Sequence, residues 1–428
     1  MRLLSTRNPD ARSTFRDAAA GAQPPDGGLW VPAAWPRLHD LDALLALPWA
    51  ARNVEVLARL LGEEFTRAEL ATLAGEALDF PIPLVLVEPG VYALELFHGP
   101  TLAFKDVGAR VLAGVLARST AGPRTILTAT SGDTGAAVAH AFWRRPGFRA
   151  VVLYPAGRVS PRQERQFACL GENVHALAVE GSFDDCQALA KACFADAALN
   201  AELGLTSANS INIARLLAQS LYYLEAVAQL RARGVQDPPV IAVPSGNFGN
   251  LCAGLMAQAL GLEVKAFVAA TNANDTVPAF LDGGPYAPRP SVPTLSNAMD
   301  VGAPSNWERI AHAAGDPARL RDSLRWDRCS NDETLEAMRA LAGLGYAACP
   351  HTAVAWAVLK RRLRSGETGV FLATAHAAKF PEVVAKATGR VPAPPEALAA
   401  LEPMPVLARP QANDVDALKA ALRSLCRD

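Results

Sequence analysis

Four short apolar runs, rich in β-branched residues, constrain the fold of this chain most strongly. They occupy positions 125–130, 150–154, 240–243 and 370–374, and each is followed by a loop. Stretches rich in alanine and leucine, with helical character, alternate with them. Such runs are typical of parallel strands buried on both faces, and their alternation with helices is typical of α/β proteins. The sequence therefore predicts an α/β fold built on parallel sheets.

Residues 1–80 have a different pattern. Apolar clusters at 41–47 and 54–61 have helical spacing. The segment Phe80-Pro81-Ile82-Pro83 then interrupts it, because two prolines in four residues disfavour a helix and favour extended backbone. We therefore predict a mainly helical N-terminal domain at 1–80 and a second region at 81–428.

Composition excludes several classes of partner. Lys and Arg number 41 and Asp and Glu number 42, so no net field attracts nucleic acid or an acidic membrane, and an anionic ligand needs a local site. The 7 cysteines contain no Cys-x-x-Cys pair, which favours reduced thiols over disulfides or a metal site. Early charges in the N-terminus, and the lack of any apolar run near ~18 residues, argue against export or membrane insertion. We expect a cytoplasmic protein without a metal.

Two strand-to-helix loops have the composition of anion sites. Residues 131–135 precede a helix expected from Ala136, and residues 244–250 precede one expected from Leu251. Glycine allows close backbone approach, and the free N–H groups of a helix start favour a phosphate. Ordinary capped turns use the same residue types. The dinucleotide and Walker patterns are both absent from the sequence, which removes the main support for those alternatives.

A third strand end carries Thr374. Ligands of open α/β sheets bind at the carboxyl ends of strands, so we expect the three loops to share one pocket.

Lys105 follows an apolar run directly and precedes a helix expected near Val107. A lysine at a helix start often packs only its stem and keeps its ammonium in water. Partial desolvation would instead lower its pKa and free the amine to form an imine with an aldehyde. An aldehyde that also carries a phosphate is pyridoxal 5′-phosphate, and the chain offers both the lysine and the phosphate loops.

Five segments together closely resemble bacterial threonine synthase, and the resemblance spans nearly the whole chain. They are FHGPTLAFKD at 97–106, TATSGDTGAAVAHAF at 128–142, NSINIARLLAQ at 209–219, PSGNFGN at 244–250 and TLSNAMDVG at 294–302. The resemblance implies the fold of the tryptophan synthase β-subunit group, fold type II, in which two α/β domains clasp pyridoxal phosphate. It implies a smaller subdomain at about 100–235 and a larger one at 81–99 plus 236–428.

The resemblance also implies roles for site residues. Lys105 matches the lysine that forms the imine with the cofactor, and Thr374 matches the residue whose hydroxyl meets the pyridine nitrogen. Asp133 lies near the cofactor and the substrate, with its role left open. The cradle for the cofactor phosphate comprises Ser245, Gly246, Asn247, Phe248, Gly249 and Asn250. The segment that binds the substrate comprises Thr130, Ser131, Gly132, Asp133 and Thr134.

The substrate phosphate requires a cationic site of its own. Our candidates are Arg158, Ser160, Asn212 and Arg215, although arginines are frequent in this sequence and surface roles are common for them. For His98, His351 and His376 we expect structural packing.

The implied reaction converts O-phospho-L-homoserine and water to L-threonine and phosphate by β,γ-elimination and replacement, the last step of threonine biosynthesis, in a monomer or homodimer. One alternative is a related dehydratase or β-replacement enzyme, against which the FHGPTLAFKD context and the N-terminal 80 residues argue. Another is a non-catalytic binding protein, against which the intact Lys105 and Thr374 argue.

Overall fold

A computed structural model describes residues 1–120 and 122–426. Residues 121, 427 and 428, which fall inside the predicted second region, lie outside the described residues. The N-terminal part contains strands β1 (Arg2–Ser5), β2 (Arg12–Thr14) and β3 (Trp30–Pro32) and helices α1 (Phe15–Gly21), α2 (Leu41–Leu45), α3 (Trp49–Leu61) and α4 (Arg67–Ala77).

The middle of the chain alternates strands and helices. Its strands are β4 (Leu84–Glu88), β5 (Val91–Glu95), β6 (Arg124–Ala129), β7 (Phe148–Pro155), β8 (Val174–Val179) and β9 (Leu205–Thr206). Its helices are α5 (Lys105–Ser119), α6 (Asp133–Phe142), α7 (Pro161–Ala168), α8 (Phe183–Ala195), α9 (Ala197–Leu203) and α10 (Ile213–Ala232).

The last part continues this alternation. Its strands are β10 (Val240–Pro244), β11 (Ala266–Thr271), β12 (Leu324–Arg328), β13 (Gly369–Ala373) and β14 (Arg409–Gln411). Its helices are α11 (Gly249–Ala259), α12 (Thr276–Leu281), α13 (Trp307–Ala314), α14 (Leu320–Ser323), α15 (Asn331–Gly343), α16 (Pro350–Arg362), α17 (Pro381–Thr388), α18 (Glu396–Ala399) and α19 (Val415–Leu425), with short 3-10 helices at Asn297–Met299, Pro317–Arg319 and Ala377–Lys379.

Two sheets of mainly parallel strands form the region after residue 80, which confirms the predicted fold class. The larger sheet has six strands in the order β12-β11-β10-β13-β5-β4, and all its pairs are parallel except β4 with β5. The smaller has five strands in the order β14-β8-β7-β6-β9, all parallel. The four predicted runs form β6, β7, β10 and β13. Strands β10 and β13 are fully buried, as expected for parallel strands covered by helices on both faces.

The structure differs from the predicted subdomain limits in one respect. The prediction places the whole range 236–428 in the larger subdomain, but β14 pairs with β8 of the smaller sheet and α19 packs on α8. Leu418 and Leu422 of α19 are completely buried against that sheet. The C-terminal segment therefore returns to the smaller sheet because its apolar face is buried there.

The N-terminal part is mainly helical but also contains a small antiparallel sheet in the order β2-β1-β3, which sequence analysis did not predict. Its strands have only three or four residues, too few for an alternating pattern to be recognised. Helix α4 begins with a capping box between Thr66 and Glu69, and α3 buries Val56, Leu57 and Leu60. Within residues 1–120 and 122–426, no helix is both long and apolar enough to span a membrane.

Candidate active site

One large cavity opens at the carboxyl ends of strands from both sheets. Its volume is about 790 Å³, within the range of pockets that bind small molecules. The loop after β6, the loop after β10 and Thr374 at the end of β13 all border it, together with Lys105. Residues of the N-terminal part, from Gly21 to Leu29, close one side. The three predicted loops thus border one pocket.

Lys105 is the first residue of α5, two positions before the expected helix start. The segment before it is held against the end of β13: the Phe104 N–H donates to the Thr374 carbonyl oxygen at 2.9 Å, and the His376 N–H donates to the Leu102 carbonyl oxygen at 3.0 Å. Leu102 takes a φ of 56°, in the left-handed region that a leucine rarely adopts. These contacts fix the position from which the Lys105 side chain enters the cavity.

Burial in the cavity makes the Lys105 ammonium easier to deprotonate than that of an ordinary lysine. Burial lowers the pKa of Lys105 to about 8; Asp133 opposes this shift, whereas the positive charges of Arg215 and Lys379 add to it. About a tenth of the amine is therefore uncharged at pH 7, far more than in an ordinary lysine, and this is the form that attacks an aldehyde or accepts a proton.

The loop from Ser245 to Asn250 brings the start of α11 to the cavity. Gly246 passes so close to the 3-10 helix at Asn297–Met299 that an added Cβ would lie 2.6 Å from Cα of Met299. Asn247 is fixed by its Nδ2, which donates to Ser210 Oγ at 2.6 Å, and by its Oδ1, which accepts from the Ser305 N–H at 2.6 Å. Phe248, at a φ of 58°, precedes α11 without a side-chain cap. The first N–H groups of α11 therefore remain free for a ligand.

The loop after β6 has a similar construction. Thr130 Oγ1 accepts hydrogen bonds from the Gly132 and Gly135 N–H groups at 2.9 and 2.8 Å. Gly132 has a φ of 137°, and a Cβ there would lie 2.6 Å from the Gln163 side chain. The turn places Ser131, Asp133 and Thr134 on the cavity wall, with Asp133 already in the first turn of α6.

Several predicted residues support the loops without bordering the cavity. Thr130 and Gly132 shape the loop after β6, and Ser245 donates from Oγ to the Val243 carbonyl oxygen at 2.8 Å. Of the described residues that line the cavity, the predicted members are Lys105, Ser131, Asp133, Thr134, Arg215, Gly246, Asn247, Phe248, Gly249, Asn250 and Thr374.

Of the four candidates for the substrate phosphate, Arg215 borders the described cavity and the other three do not, so their assignment stays a prediction. Arg158 is exposed beyond the end of β7. Ser160 caps α7 and donates to the Lys379 carbonyl oxygen at 3.3 Å. Asn212 is completely buried and caps α10, with Nδ2 donating to the Ala19 carbonyl oxygen at 2.8 Å. Capping residues and phosphate ligands share the same chemistry, so sequence alone did not separate them.

Arg215 is buried and makes one hydrogen bond to the Ala208 carbonyl oxygen at 2.8 Å, while its Nε has no partner among the described residues. Burial lowers its pKa to about 10, so its guanidinium still carries a charge at neutral pH. An unsatisfied buried donor on a charged group favours an anionic ligand.

Sequence analysis missed Lys379 and Gln163, both completely buried. Lys379 Nζ and Gln163 Nε2 each lie 2.8 Å from Oδ1 of Asp133. Lys379 stands between alanines and Phe380-Pro381. The apolar context that singled out Lys105 was thus present here too and could have identified it. His351 borders the cavity; its Nε2 accepts from the Ala298 N–H at 3.1 Å, and burial lowers its pKa to about 4.

The residues around the cavity fit pyridoxal phosphate. Lys105 offers an amine for the aldehyde, and the uncapped start of α11 offers N–H groups for the phosphate. Asn250 Nδ2 is buried without a partner within the described part of the chain. Gly246 and Gly249 allow this loop to pass close to Met299 and Ser210, because an added Cβ would lie 2.6 and 3.2 Å from atoms of those residues. In residues 1–120 and 122–426 no group of three or more His, Cys, Asp or Glu side chains is arranged to hold a metal ion.

Three family models match the chain. The one described as pyridoxal-phosphate dependent enzyme matches residues 81–375, the threonine synthase N terminus matches 2–78, and the threonine synthase C-terminal model matches 352–422. The threonine synthase of Haemophilus influenzae is 47% identical over 423 residues, which covers 99% of each chain. That of Escherichia coli is 45% identical over 428 residues, also 99% of each.

Solved structures agree. The crystal structure of threonine synthase from Escherichia coli matches with a TM-score of 0.95 at 44% identity and covers 99% of this chain and 100% of that one. The crystal structure of threonine synthase from Brucella melitensis with bound pyridoxal phosphate matches with a TM-score of 0.93 at 34% identity and covers both chains completely. The cofactor is therefore pyridoxal phosphate, and the chain belongs to the threonine synthase family.

Proposed function

We propose that this protein converts O-phospho-L-homoserine and water to L-threonine and phosphate, the last step of threonine biosynthesis, with Lys105 as its catalytic residue. The observation that carries the proposal is that the Lys105 amine and the uncapped start of α11 border the same cavity. An amine and a phosphate site in one pocket are what a phosphorylated aldehyde requires. The full-length similarity to threonine synthases supports the choice of reaction.

Each group of residues has an assigned part in holding the cofactor. The backbone from Gly246 to Asn250 would hold the phosphate, Lys105 the aldehyde carbon and Thr374 the ring nitrogen. When bound, pyridoxal phosphate supplies an aldehyde that reacts with the substrate amine and a ring that takes up the electron pair left at Cα. The Thr374 hydroxyl is far too weak an acid to protonate the ring, so it contributes a neutral hydrogen bond.

Lys105 moves the protons of the reaction. Its uncharged amine removes one proton from Cα and one from Cβ of the substrate, which allows phosphate to leave from Cγ, and it then delivers a proton to Cγ. The same amine takes a proton from the water that attacks Cβ and returns a proton to Cα, and the remaining proton leaves with the phosphate. The pKa near 8 suits a group that must both accept and donate at neutral pH.

The substrate is held at both ends. Ser131, Thr134 and the start of α6 bind its carboxylate, because the N-cap residue Gly132 has no side chain and Thr130 Oγ1 accepts from the Gly135 N–H but not from those of Asp133 and Thr134. Arg215, which borders the cavity, binds its phosphate through its charged guanidinium group.

The partner of the protein is this small substrate, and neither nucleic acid nor a membrane is involved. Every residue assigned here comes from one chain, so a monomer or a homodimer supports the reaction. We place the protein in the cytoplasm, because its seven cysteines are free in the described part of the chain.

The proposal is tested by two parallel assays of the purified, cofactor-loaded protein. Release of phosphate from O-phosphohomoserine, with equal formation of threonine, is the expected result. Ammonia release from serine or threonine, measured at equal enzyme concentration, serves as the comparison. Faster ammonia release than phosphate release would instead favour a dehydratase and overturn the proposal.

A further inference from the structure

A completely buried ion pair joins Lys379 and Asp133 at the wall of the cavity. Nζ of Lys379 lies 2.8 Å from Oδ1 of Asp133, and their side chains are 0% and 4% exposed. Gln163 Nε2 donates to the same oxygen at 2.8 Å. Burying two charges is unfavourable unless they are paired and hydrogen-bonded, and removing one of them leaves the other uncompensated. The pair therefore calls for a functional explanation.

Lys379 also contacts the segment that carries Lys105. Its Nζ donates to the Thr101 carbonyl oxygen at 2.7 Å, four residues before Lys105, and Gln166 Nε2 donates to the same carbonyl at 3.0 Å. Its own backbone is held by Ser160, which donates from Oγ to the Lys379 carbonyl oxygen at 3.3 Å. One side chain thus connects the start of α6, the segment before α5 and the loop after β13.

We propose that Lys379 is a positioning residue: its ammonium holds the Asp133 carboxylate ionised and away from the Lys105 amine, so that Lys105 stays available as an uncharged amine. This inference rests on the proposed role of Lys105. The inference does not require Lys379 or Asp133 to contact the cofactor.

The charges around the pair support this role. Burial alone would raise the pKa of Asp133, but the positive charges of Lys379 and Lys105 outweigh burial and hold the pKa well below its usual range. Asp133 raises the pKa of Lys105 and Lys379 lowers it, so the two effects oppose each other at the amine. Without Lys379 the carboxylate would be free to pair with Lys105 and keep it as an ammonium.

Other titratable groups that face this cluster are present in every variant. Their effects on the pKa of Lys105 therefore cancel when variants are compared. They are Asp106 of α5, His140 of α6, Arg215 of α10, Cys349 before α16, His351 of α16 and His376.

The test measures the Lys105 amine directly in protein freed of cofactor. The protein is acetylated briefly with trace acetic anhydride from pH 6 to 10, and labelling of the Lys105 peptide is followed by mass spectrometry. In Lys379→Met the labelling midpoint is expected to rise by about 1 in pH, which is about a tenfold loss of labelling on the acidic side. In Lys379→Met/Asp133→Asn the midpoint is expected to return toward that of the parent protein.

Two further variants keep the test decisive. Asp133→Asn alone leaves Lys379 and Arg215 unopposed, so the midpoint is expected to fall below the parent value even if Lys379→Met does not fold. Lys360→Met, on the partly exposed lysine of α16 that pairs with Glu88, removes the same charge elsewhere and is expected to leave the midpoint unchanged. Identical midpoints in the parent, Lys379→Met and Asp133→Asn would overturn the proposal and leave Lys379 a packing residue.

The holoenzyme adds a second readout. Lys105 is bound to the cofactor until substrate has entered, so its free amine titrates in the pH profile of kcat. The acidic limb of that profile is expected to move to higher pH in Lys379→Met and back in the double variant, whereas a purely structural defect would lower the profile without moving it. Because the labelling uses neither cofactor nor substrate, a failed threonine assay with intact labelling shifts would count against the proposed function and not against this inference.

Discussion

The backbone N–H of Phe104 donates a hydrogen bond of 2.9 Å to the carbonyl oxygen of Thr374. This contact binds the residue before Lys105 to the end of β13, so the proposed catalytic amine and the proposed partner of the ring nitrogen are positioned by one backbone interaction. An isolated bridge between Ala103 and Ala375 extends it. The position of Lys105 relative to Thr374 therefore depends on main-chain contacts, and substitutions of surface side chains leave these contacts intact.

Replacing Lys105 with alanine tests the covalent step. We expect Lys105→Ala to lose the borohydride-stable attachment of cofactor and to lower kcat at least about a thousandfold, since it removes the nucleophile and the proton carrier together. The mass of the peptide containing residue 105 and a phosphate-release assay measure both effects. Lys386→Ala, on an exposed lysine of α17, is the matched control. Turnover that survives in Lys105→Ala would remove Lys105 from the mechanism.

Substitutions of Arg215 and Arg158 are expected to have different effects on the KM for O-phosphohomoserine. Arg215→Lys replaces the guanidinium group at the cavity and is expected to raise KM for O-phosphohomoserine roughly 10- to 100-fold, the range for losing a hydrogen bond to a charged group. Arg158→Ala is expected to leave KM unchanged, because Arg158 is exposed and does not border the described cavity. Steady-state kinetics, with thermal midpoints to exclude unfolding, measure the contrast. The reverse pattern would restore Arg158 as the phosphate ligand.

Alanine substitutions of Gly246 and Gly75 compare the effect of an added methyl group in the cofactor loop with its effect in a distant helix. In Gly246→Ala the new Cβ would lie 2.6 Å from Cα of Met299, so the loop must shift, and we expect cofactor affinity to fall roughly tenfold. Gly75 lies in α4 with nothing within 4 Å of an added Cβ, so Gly75→Ala should stabilise the fold by about 0.5–1 kcal/mol and leave affinity unchanged. Fluorescence titration with cofactor and thermal unfolding measure both. Equal affinities would show that the loop tolerates a side chain.

The sequence alone predicts those strands and helices whose structure depends mainly on their own residues. The strands β6, β7, β10 and β13 are predictable because continuous β-branched runs suit buried parallel strands. The helices start two or three residues earlier than expected from Val107 for α5, Ala136 for α6 and Leu251 for α11. In each case the first turn contains residues that also suit a loop.

Long-range contacts could not be predicted in the same way. The pairing of β14 with β8 joins two segments distant in sequence, and the proline in Arg409–Gln411 disguises the strand. The Lys379 ion pair with Asp133 joins the first turn of α6 to the 3-10 helix after β13, two segments that follow strands of different sheets. Residue type alone favours Arg158 and Asn212 as phosphate ligands, although one lies at the surface and the other caps a helix.

The buried carboxyl of Asp106 predicts a pH dependence of stability. Burial raises its pKa to about 6, although Thr101 donates to it from N–H at 2.8 Å and from Oγ1 at 2.6 Å. Because the folded pKa lies above the unfolded value of about 3.9, the protonated carboxyl stabilises the fold below pH 4, and this contribution is lost as the pH rises through 6.

The stability of the parent protein relative to Asp106→Asn should therefore fall by up to about 3 kcal/mol between pH 4 and pH 7, because a tenfold change in a proton-binding constant corresponds to about 1.4 kcal/mol. Urea unfolding of both proteins at several pH values measures this difference, and all other titrating groups cancel in it. A difference that grows with pH would mean that hydrogen bonds from Thr101 outweigh burial.

A buried ion pair between Arg52 of α3 and Glu225 of α10 attaches the N-terminal part to the catalytic region. Arg52 Nη1 also donates to the Leu45 carbonyl oxygen at 2.8 Å, and Gln229 Nε2 donates to Glu225. Removing one partner leaves an uncompensated buried charge, so Arg52→Met and Glu225→Leu should each destabilise the fold by about 3–5 kcal/mol. The double variant should cost less than either single variant, because no charge remains unpaired.

The exposed pair of Arg144 with Glu172 supplies the control for this cycle. Its side chains are 63% and 50% exposed, so Arg144→Met and Glu172→Leu should leave the urea midpoint close to that of the parent protein. Urea unfolding followed by tryptophan fluorescence reports on the whole chain, since Trp30, Trp35 and Trp49 lie in the N-terminal part and the other four of the seven tryptophans lie outside it. Additive losses at Arg52 and Glu225 would show that the two residues stabilise the fold independently and that their ion pair does not hold the N-terminal part in place.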